Sequence, residues 1–109
     1  MQPITAEWLH ERGGLHDARV IEVCLEGPVA KIHIDDEWAN ERGLSRPEGQ
    51  ESPGTLVLDG LSMAKDELLA LSGGWVSYFE LRGDELDLAF CDRPQINIRI
   101  ASACWHGAA

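Results

Sequence analysis

Trp75-Val76-Ser77-Tyr78-Phe79-Glu80-Leu81-Arg82-Gly83-Asp84-Glu85-Leu86-Asp87-Leu88-Ala89-Phe90 alternates apolar and polar side chains on either side of a Gly-Asp pair. That pattern describes two antiparallel strands closed by a tight hairpin turn. Counting across a two-residue loop sets Leu81 opposite Leu86, Phe79 opposite Leu88 and Ser77 opposite Phe90, with Trp75 on the same inner face. Downstream, Ile96, Ile98 and Ile100 share one parity. A three-residue Asp92-Arg93-Pro94 connection sets Phe90 against Ile96, Leu88 against Ile98 and Leu86 against Ile100, which makes a three-stranded meander. A connection of two residues would bring Arg99 opposite Leu88 on the inner face, so parity excludes it.

The same count fixes the outer face. Glu80 falls opposite Asp87, Asp87 opposite Arg99, and Tyr78, Ala89 and Asn97 form the next row. Two neighbouring carboxylates repel unless a cation lies between them, and Arg99 supplies a bidentate partner. Tyr78, Glu80, Asp87, Asn97 and Arg99 are therefore a candidate recognition surface, although any solvated antiparallel face is polar too. Val76 and Cys91, apolar on this face, suggest a patch covered by a helix, a second sheet or another chain.

A second hairpin lies upstream. Ile21, Val23 and Leu25 share one parity, and after Gly27-Pro28 so do Ala30, Ile32 and Ile34. A two-residue loop pairs Leu25 with Ala30, Val23 with Ile32 and Ile21 with Ile34, leaving Glu22 opposite His33 and Cys24 opposite Lys31 on the reverse face. Gly before Pro suits a type II′ turn.

Short helices fill the gaps. Thr5 before Ala6-Glu7-Trp8-Leu9-His10-Glu11-Arg12, with Gly13-Gly14 behind, has an N-cap, an acidic first turn and a glycine stop. Two turns do not persist alone, so Ile4, Trp8 and Leu9 are expected to pack on the domain. Residues 35–43 start acidic, end in Arg-Gly and read as a short helix carrying Trp38. Residues 44–54, rich in Pro, Gly, Ser and Glu, read as an exposed loop. Thr55-Leu56-Val57-Leu58 is a strand ending at Asp59-Gly60, with Leu61 and Met63 as an extension beyond a bulge. Residues 66–71 form one or two helical turns before Gly73-Gly74, and the last residues, with His106, read as a frayed tail.

The expected fold is thus one mainly β (α+β) domain over residues 1–109: an antiparallel sheet of about six strands, curled or sandwich-like, with two or three short helices. At 109 residues, 44% hydrophobic, the chain suffices for a single core. Nineteen acidic against nine basic residues give a formal charge of -10, which disfavours phosphate backbones and anionic lipid surfaces as partners and favours a basic one. The first residues lack a basic and apolar leader pattern and no stretch approaches a membrane span, so a cytoplasmic location is expected. Three cysteines at spacings of 67 and 13 match neither a disulfide framework nor a zinc knuckle, and Cys24, Cys91 and Cys104 read as small buried thiols.

Motifs for catalysis are sparse. There is no Gly-x-Ser-x-Gly elbow, Gly-rich phosphate loop or His-Glu-x-x-His, and no cofactor is expected. His33 and Asp35 project from one strand face and His16-Asp17 precede the opposing strand, a thin candidate set for a divalent metal. Cys24 has Lys31 across from it and His33 diagonal, but Glu22 and Glu26 on the same face oppose thiolate formation.

Leu15-His16-Asp17-Ala18, leading into an alternating strand, resembles an element that introduces the first strand of small uncharacterised bacterial β-rich domains, some of which are similar to immunity proteins. The resemblance implies a bacterial cytoplasmic protein with no settled activity, and it brings no catalytic residue with it. From the residues alone, the leading expectation is a non-enzymatic domain binding a protein partner through its acidic face, with Trp38 and the 44–54 loop at the edge. A small-molecule binder or small enzyme built on the Glu80, Asp87 and Arg99 cluster, and a homodimer through a strand edge or the Val76 and Cys91 patch, are the alternatives.

Overall fold

The computed structural model describes residues 2–16, 18–35, 54–61 and 65–107. Among them run eight strands: β1 (Gln2–Pro3), β2 (Arg19–Glu26), β3 (Val29–Asp35), β4 (Gly54–Asp59), β5 (Val76–Arg82), β6 (Glu85–Phe90), β7 (Ile96–Arg99) and β8 (Ser102–Gly107). Two helices, α1 (Ala6–Glu11) and α2 (Lys65–Leu69), and a 3-10 turn at Gly13–Leu15 accompany them. The strands form two antiparallel sheets, ordered β1-β8-β4-β3-β2 and β5-β6-β7. The mainly β class and antiparallel pairing are those expected; the count of about six strands becomes five in one sheet and three in the other.

The larger sheet alternates as its sequence dictates. Ala30, Ile32 and Ile34 of β3 are fully buried between half-exposed neighbours, and their cross-strand partners on β4 are Leu58, Leu56 and Gly54. The Gly27-Pro28 loop closes β2 onto β3 with Glu26 opposite Val29. Gly27 has φ +60, which together with the fixed negative φ of proline is the type II′ arrangement. Leu25 opposite Ala30, Val23 opposite Ile32, Cys24 opposite Lys31 and Glu22 opposite His33 all occur as counted.

Ile21 does not face Ile34. A bulge between Val20 and Glu22 gives Val20 that place, burying it fully and leaving Ile21 53% exposed. A second bulge, between Val76 and Tyr78, does the same in β5: Val76 pairs with Phe90 and is buried, while Trp75 turns out to 47% exposure. The expected inward Trp75 and Ser77 are thus corrected, and the Val76 and Cys91 patch does not exist, because Val76 lies in the core. Both bulges sit where the two sheets meet. There Val76 N–H donates to the Ala18 carbonyl, Val20 N–H to that of Gly74 and Gly73 N–H to that of Val20. An extra residue in each strand increases local twist, which lets the chain turn from one sheet into the other.

The tail is a strand. β8 pairs with β4 on one side and β1 on the other, so Ala103 and Trp105 enter the core and His106 lies on the ladder opposite Thr55. Trp105 meets Trp8 of α1 with ring centroids 5.4 Å apart. Helix α1 is capped by Thr5, whose hydroxyl accepts the Trp8 N–H at 3.1 Å, and it buries Trp8 and Leu9 beside Ile4. Residues 66–71 turn helically as expected, with Leu68 and Leu71 buried, and Asp35 is the last residue of β3. Strand β4 stops at Asp59, so Leu61 does not extend it. The expected helix with Trp38, most of the 44–54 loop, Asp17 and Met63 lie outside the described residues. One hydrophobic cluster includes residues of both sheets and both helices.

Candidate functional site

The outer face of β5-β6-β7 carries most of the expected surface, in a different register. Strand β7 pairs two residues further along than a three-residue connection allows, so Leu88 faces Ile96, Leu86 faces Ile98, Asp87 faces Asn97 and Glu85 faces Arg99. A shift of two preserves parity, which is why Ile98 remains buried and Arg99 remains outside. Phe90 is instead held against Val76, and Ile100, past the end of β7, donates its N–H to the Asp84 carbonyl. Tyr78 opposite Ala89, and Glu80 opposite Asp87, are as counted.

Arg82 takes the role expected of Arg99. Its Nη2 lies 2.5 Å from Asp87 Oδ2, and Asn97 donates from Nδ2 to Asp87 Oδ1 at 2.6 Å. Arg99 reaches Asp84 and Glu85 at 3.7 and 3.6 Å on the exposed rim. Asp87 is the one buried charged residue among those described, and each carboxylate oxygen already has a partner. It ties β5, β6 and β7 together as a buried anion. Arg82→Ala should lower unfolding free energy by about 1 kcal/mol, since it strips a partner from a largely buried carboxylate. Arg99→Ala should change it by less than about 0.5 kcal/mol, as an exposed pair contributes little. Urea denaturation of the two variants checks the ranking.

Tyr78 and Glu80 look onto a second feature that no single-strand count could show. Between α1 and β5 lies a groove of about 350 Å³, lined by Ala6, Glu7, Leu9 and His10 on the helix and by Tyr78, Phe79, Glu80 and Leu81 on the strand. Four consecutive strand residues line it because the groove runs along the edge of β5, the outermost strand of its sheet. In a two-residue hairpin, Arg82 and Glu85 form the closing hydrogen-bonded pair, so Phe79 and Leu81 turn their backbone N–H and C=O groups away from β6. These groups have no backbone partner among the described residues. Tyr78 forms one end, its ring lying over Gly14 and its hydroxyl 3.4 Å from His10 Nδ1. His10, to which the sequence alone gives no role, thus belongs here with Glu7.

Of the expected metal set His16, Asp17, His33 and Asp35, Asp17 lies outside the described residues. His16 donates from Nδ1 to the Ser77 carbonyl at 2.8 Å, covering the bulge of β5, and Asp35 stands across from Arg19 at the far end of β2. His33 instead bonds Thr55 Oγ1 through Nδ1 at 2.8 Å. On β2 and β3, ligand atoms of Glu22, Cys24 and His33 lie within 4.8 Å of one another. Partial burial pushes the Cys24 thiol up, the charge of Glu22 and a hydrogen bond to it add to this, Glu26 contributes further, and Lys31 opposes more weakly. The neutral thiol expected from those acidic neighbours is the result. None of the cysteines is fully buried: Cys24 and Cys104 are half-exposed, Cys91 is exposed, and none is in a disulfide.

Among the described residues no helix is long and apolar enough to cross a membrane. Compared with known proteins, the chain matches no family model, no curated protein and no solved structure.

Proposed function

We propose that this protein is a non-enzymatic binding domain whose α1-β5 groove takes an extended, basic segment of a partner protein. The observation that carries the reading is the free edge of β5 lying inside a groove with a carboxylate on each wall, Glu7 and Glu80. A peptide that adds to such an edge gains its affinity from main-chain hydrogen bonds, here to the half-exposed Leu81, since Phe79 is fully buried, and its specificity from alternate side chains. Side chains on one side of the added strand meet Ala6 and Leu81, the accessible apolar residues of the lining. Those on the other side meet Tyr78 and Glu80, where Lys or Arg is favoured. The preferred sequence is accordingly an apolar-basic alternation, and the charge of -10 accelerates its encounter. An immunity-like role, neutralising a toxin by binding, is one form of this reading.

Fluorescence anisotropy with a labelled Lys-Val-Lys-Val-Lys peptide tests it. Saturable binding is expected, weakened about tenfold, or 1.4 kcal/mol, by Glu80→Lys. N-methylating alternate amides of the peptide should abolish binding in one register, because it removes the donors that pair with the edge. Equal binding by the N-methylated peptide, or by its Glu-Val-Glu-Val-Glu counterpart, would defeat the proposal. So would light scattering that shows β5 edges paired in a dimer which the peptide does not dissociate.

A further inference from the structure

We propose that Glu22, Cys24 and His33, on the outward face of β2 and β3, form a binding site for a zinc-class divalent cation with one open coordination position. The site is remote in sequence and chemistry from the α1-β5 groove and stands independently of it. Glu22 and Cys24 are two apart on β2 and so share a face, and His33 is directly opposite Glu22 on β3. A hairpin with this register brings the three donors together without any loop, and their ligand atoms already lie within 4.8 Å of one another. Modest side-chain rotation closes that spacing onto a tetrahedral ion, whose bonds to S, N and O run about 2.0–2.3 Å. One thiolate, one imidazole and one carboxylate form a borderline donor set that suits zinc better than magnesium or calcium.

The surroundings of His33 point the same way. Its Nδ1 is engaged with Thr55 Oγ1 on β4, on the side away from β2. Nε2 is then the nitrogen left to ligate an ion beside Glu22 and Cys24. With Nδ1–H donated to the threonine oxygen, Nε2 keeps its lone pair for a metal, which is how metal-binding histidines are commonly oriented. Thr55 is thus a positioning residue. Lys31, across from Cys24, would repel a cation, but its ammonium lies 3.2 Å from Glu26, the next outward residue of β2. That ion pair draws the positive charge toward the hairpin turn and away from the three donors.

Uptake is an exchange of ligands. The metal aqua ion loses water, the Cys24 Sγ–H bond breaks as the Sγ–metal bond forms, and the proton passes to solvent. Because the thiol must be deprotonated, affinity should rise as pH rises.

The experiment titrates the metal-free full chain with cobalt(II) as an optical probe, then displaces it with zinc. One equivalent should bind with thiolate-to-cobalt charge-transfer absorption. Cys24→Ser and His33→Asn should each weaken binding at least tenfold, and Thr55→Val should weaken it less while retaining the thiolate band. A measurement on the unaltered chain guards against variants that misfold. Zinc should slow alkylation of Cys24 by iodoacetamide while leaving the exposed Cys91 unaffected. No thiolate band, uptake unchanged in Cys24→Ser, or Cys24 alkylation indifferent to zinc would each overturn the site.

Discussion

Trp105→Ala should lower the free energy of unfolding by about 3–5 kcal/mol, the range for removing a large aromatic from a packed core. That is a large share of the roughly 5–15 kcal/mol expected for a domain of this kind. Trp105 is 2% exposed and lies on a central strand, with β4 on one side and β1 on the other. Its ring stacks obliquely on Trp8 and fills the space that a side chain at Gly54 would need. Removing it therefore leaves a cavity bounded by helix and sheet, and the sheet side cannot collapse without breaking ladder hydrogen bonds. Trp105→Phe should cost less, since much of the ring contact survives. Urea denaturation followed by far-UV circular dichroism checks both. Because the hydrophobic cluster spans both sheets, the expected curve is a single transition moved to lower urea. Two separated transitions would show that the sheets do not share one cooperative core, and a loss below about 1 kcal/mol would show that the tail strand is peripheral.

How much of this is readable in the sequence follows from what parity can and cannot encode. Alternation finds both hairpins and the inward sets Val23, Leu25, Ala30, Ile32, Phe79, Leu81, Leu86 and Leu88, because an apolar side chain at every second position suits a half-buried strand and no helix. It fails at Val20-Ile21 and Trp75-Val76, where two adjacent apolar residues make either one a suitable inward residue. A bulge chooses between them, and what decides it is the corner where residues 18–20 meet residues 73–76, a tertiary fact. The β6-β7 register fails differently. Leu86, Leu88, Ile96, Ile98 and Ile100 fit equally well shifted by two, so the pattern holds the faces but not the partners, and Arg99 loses its place beside Asp87 to Arg82. Strand β8 escapes detection because Ser102-Ala103-Cys104-Trp105-His106-Gly107 is short of β-branched residues, although Ala103 and Trp105 do alternate. For the sites, the Glu22, Cys24 and His33 neighbourhood is legible from hairpin counting alone. The α1-β5 groove is not, since nothing in either segment states that the helix lies along that strand edge.

Gly14→Ala should destabilise the protein by about 3 kcal/mol and should disturb the groove as well. Gly14 adopts φ +63 in the turn between α1 and β2, where an L side chain costs about 1 kcal/mol or more over glycine. A Cβ there would also stand 2.5 Å from Tyr78 Cδ2 and 2.6 Å from Cγ. These atoms are near the root of the ring, so χ1 of Tyr78 or the turn itself must shift, an overpacking cost of about 1–3 kcal/mol. The neighbouring Leu15, also at positive φ (+60) and only 1% exposed, anchors the turn in the core and prevents it from moving away freely. The two contributions separate in a double-mutant cycle. In a Tyr78→Ala background the clash disappears and only the backbone cost remains, so Gly14→Ala should cost about 1 kcal/mol there, a coupling of roughly 2 kcal/mol. Equal effects in both backgrounds would mean that Tyr78 does not rest on Gly14. With it would go the assignment of Tyr78 as the rigid end of the groove, because a ring free to swing has no reason to hold its hydroxyl near His10. The peptide titration is the independent readout: Gly14→Ala, in protein still folded at low temperature, should bind the Lys-Val-Lys-Val-Lys peptide more weakly than the parent chain.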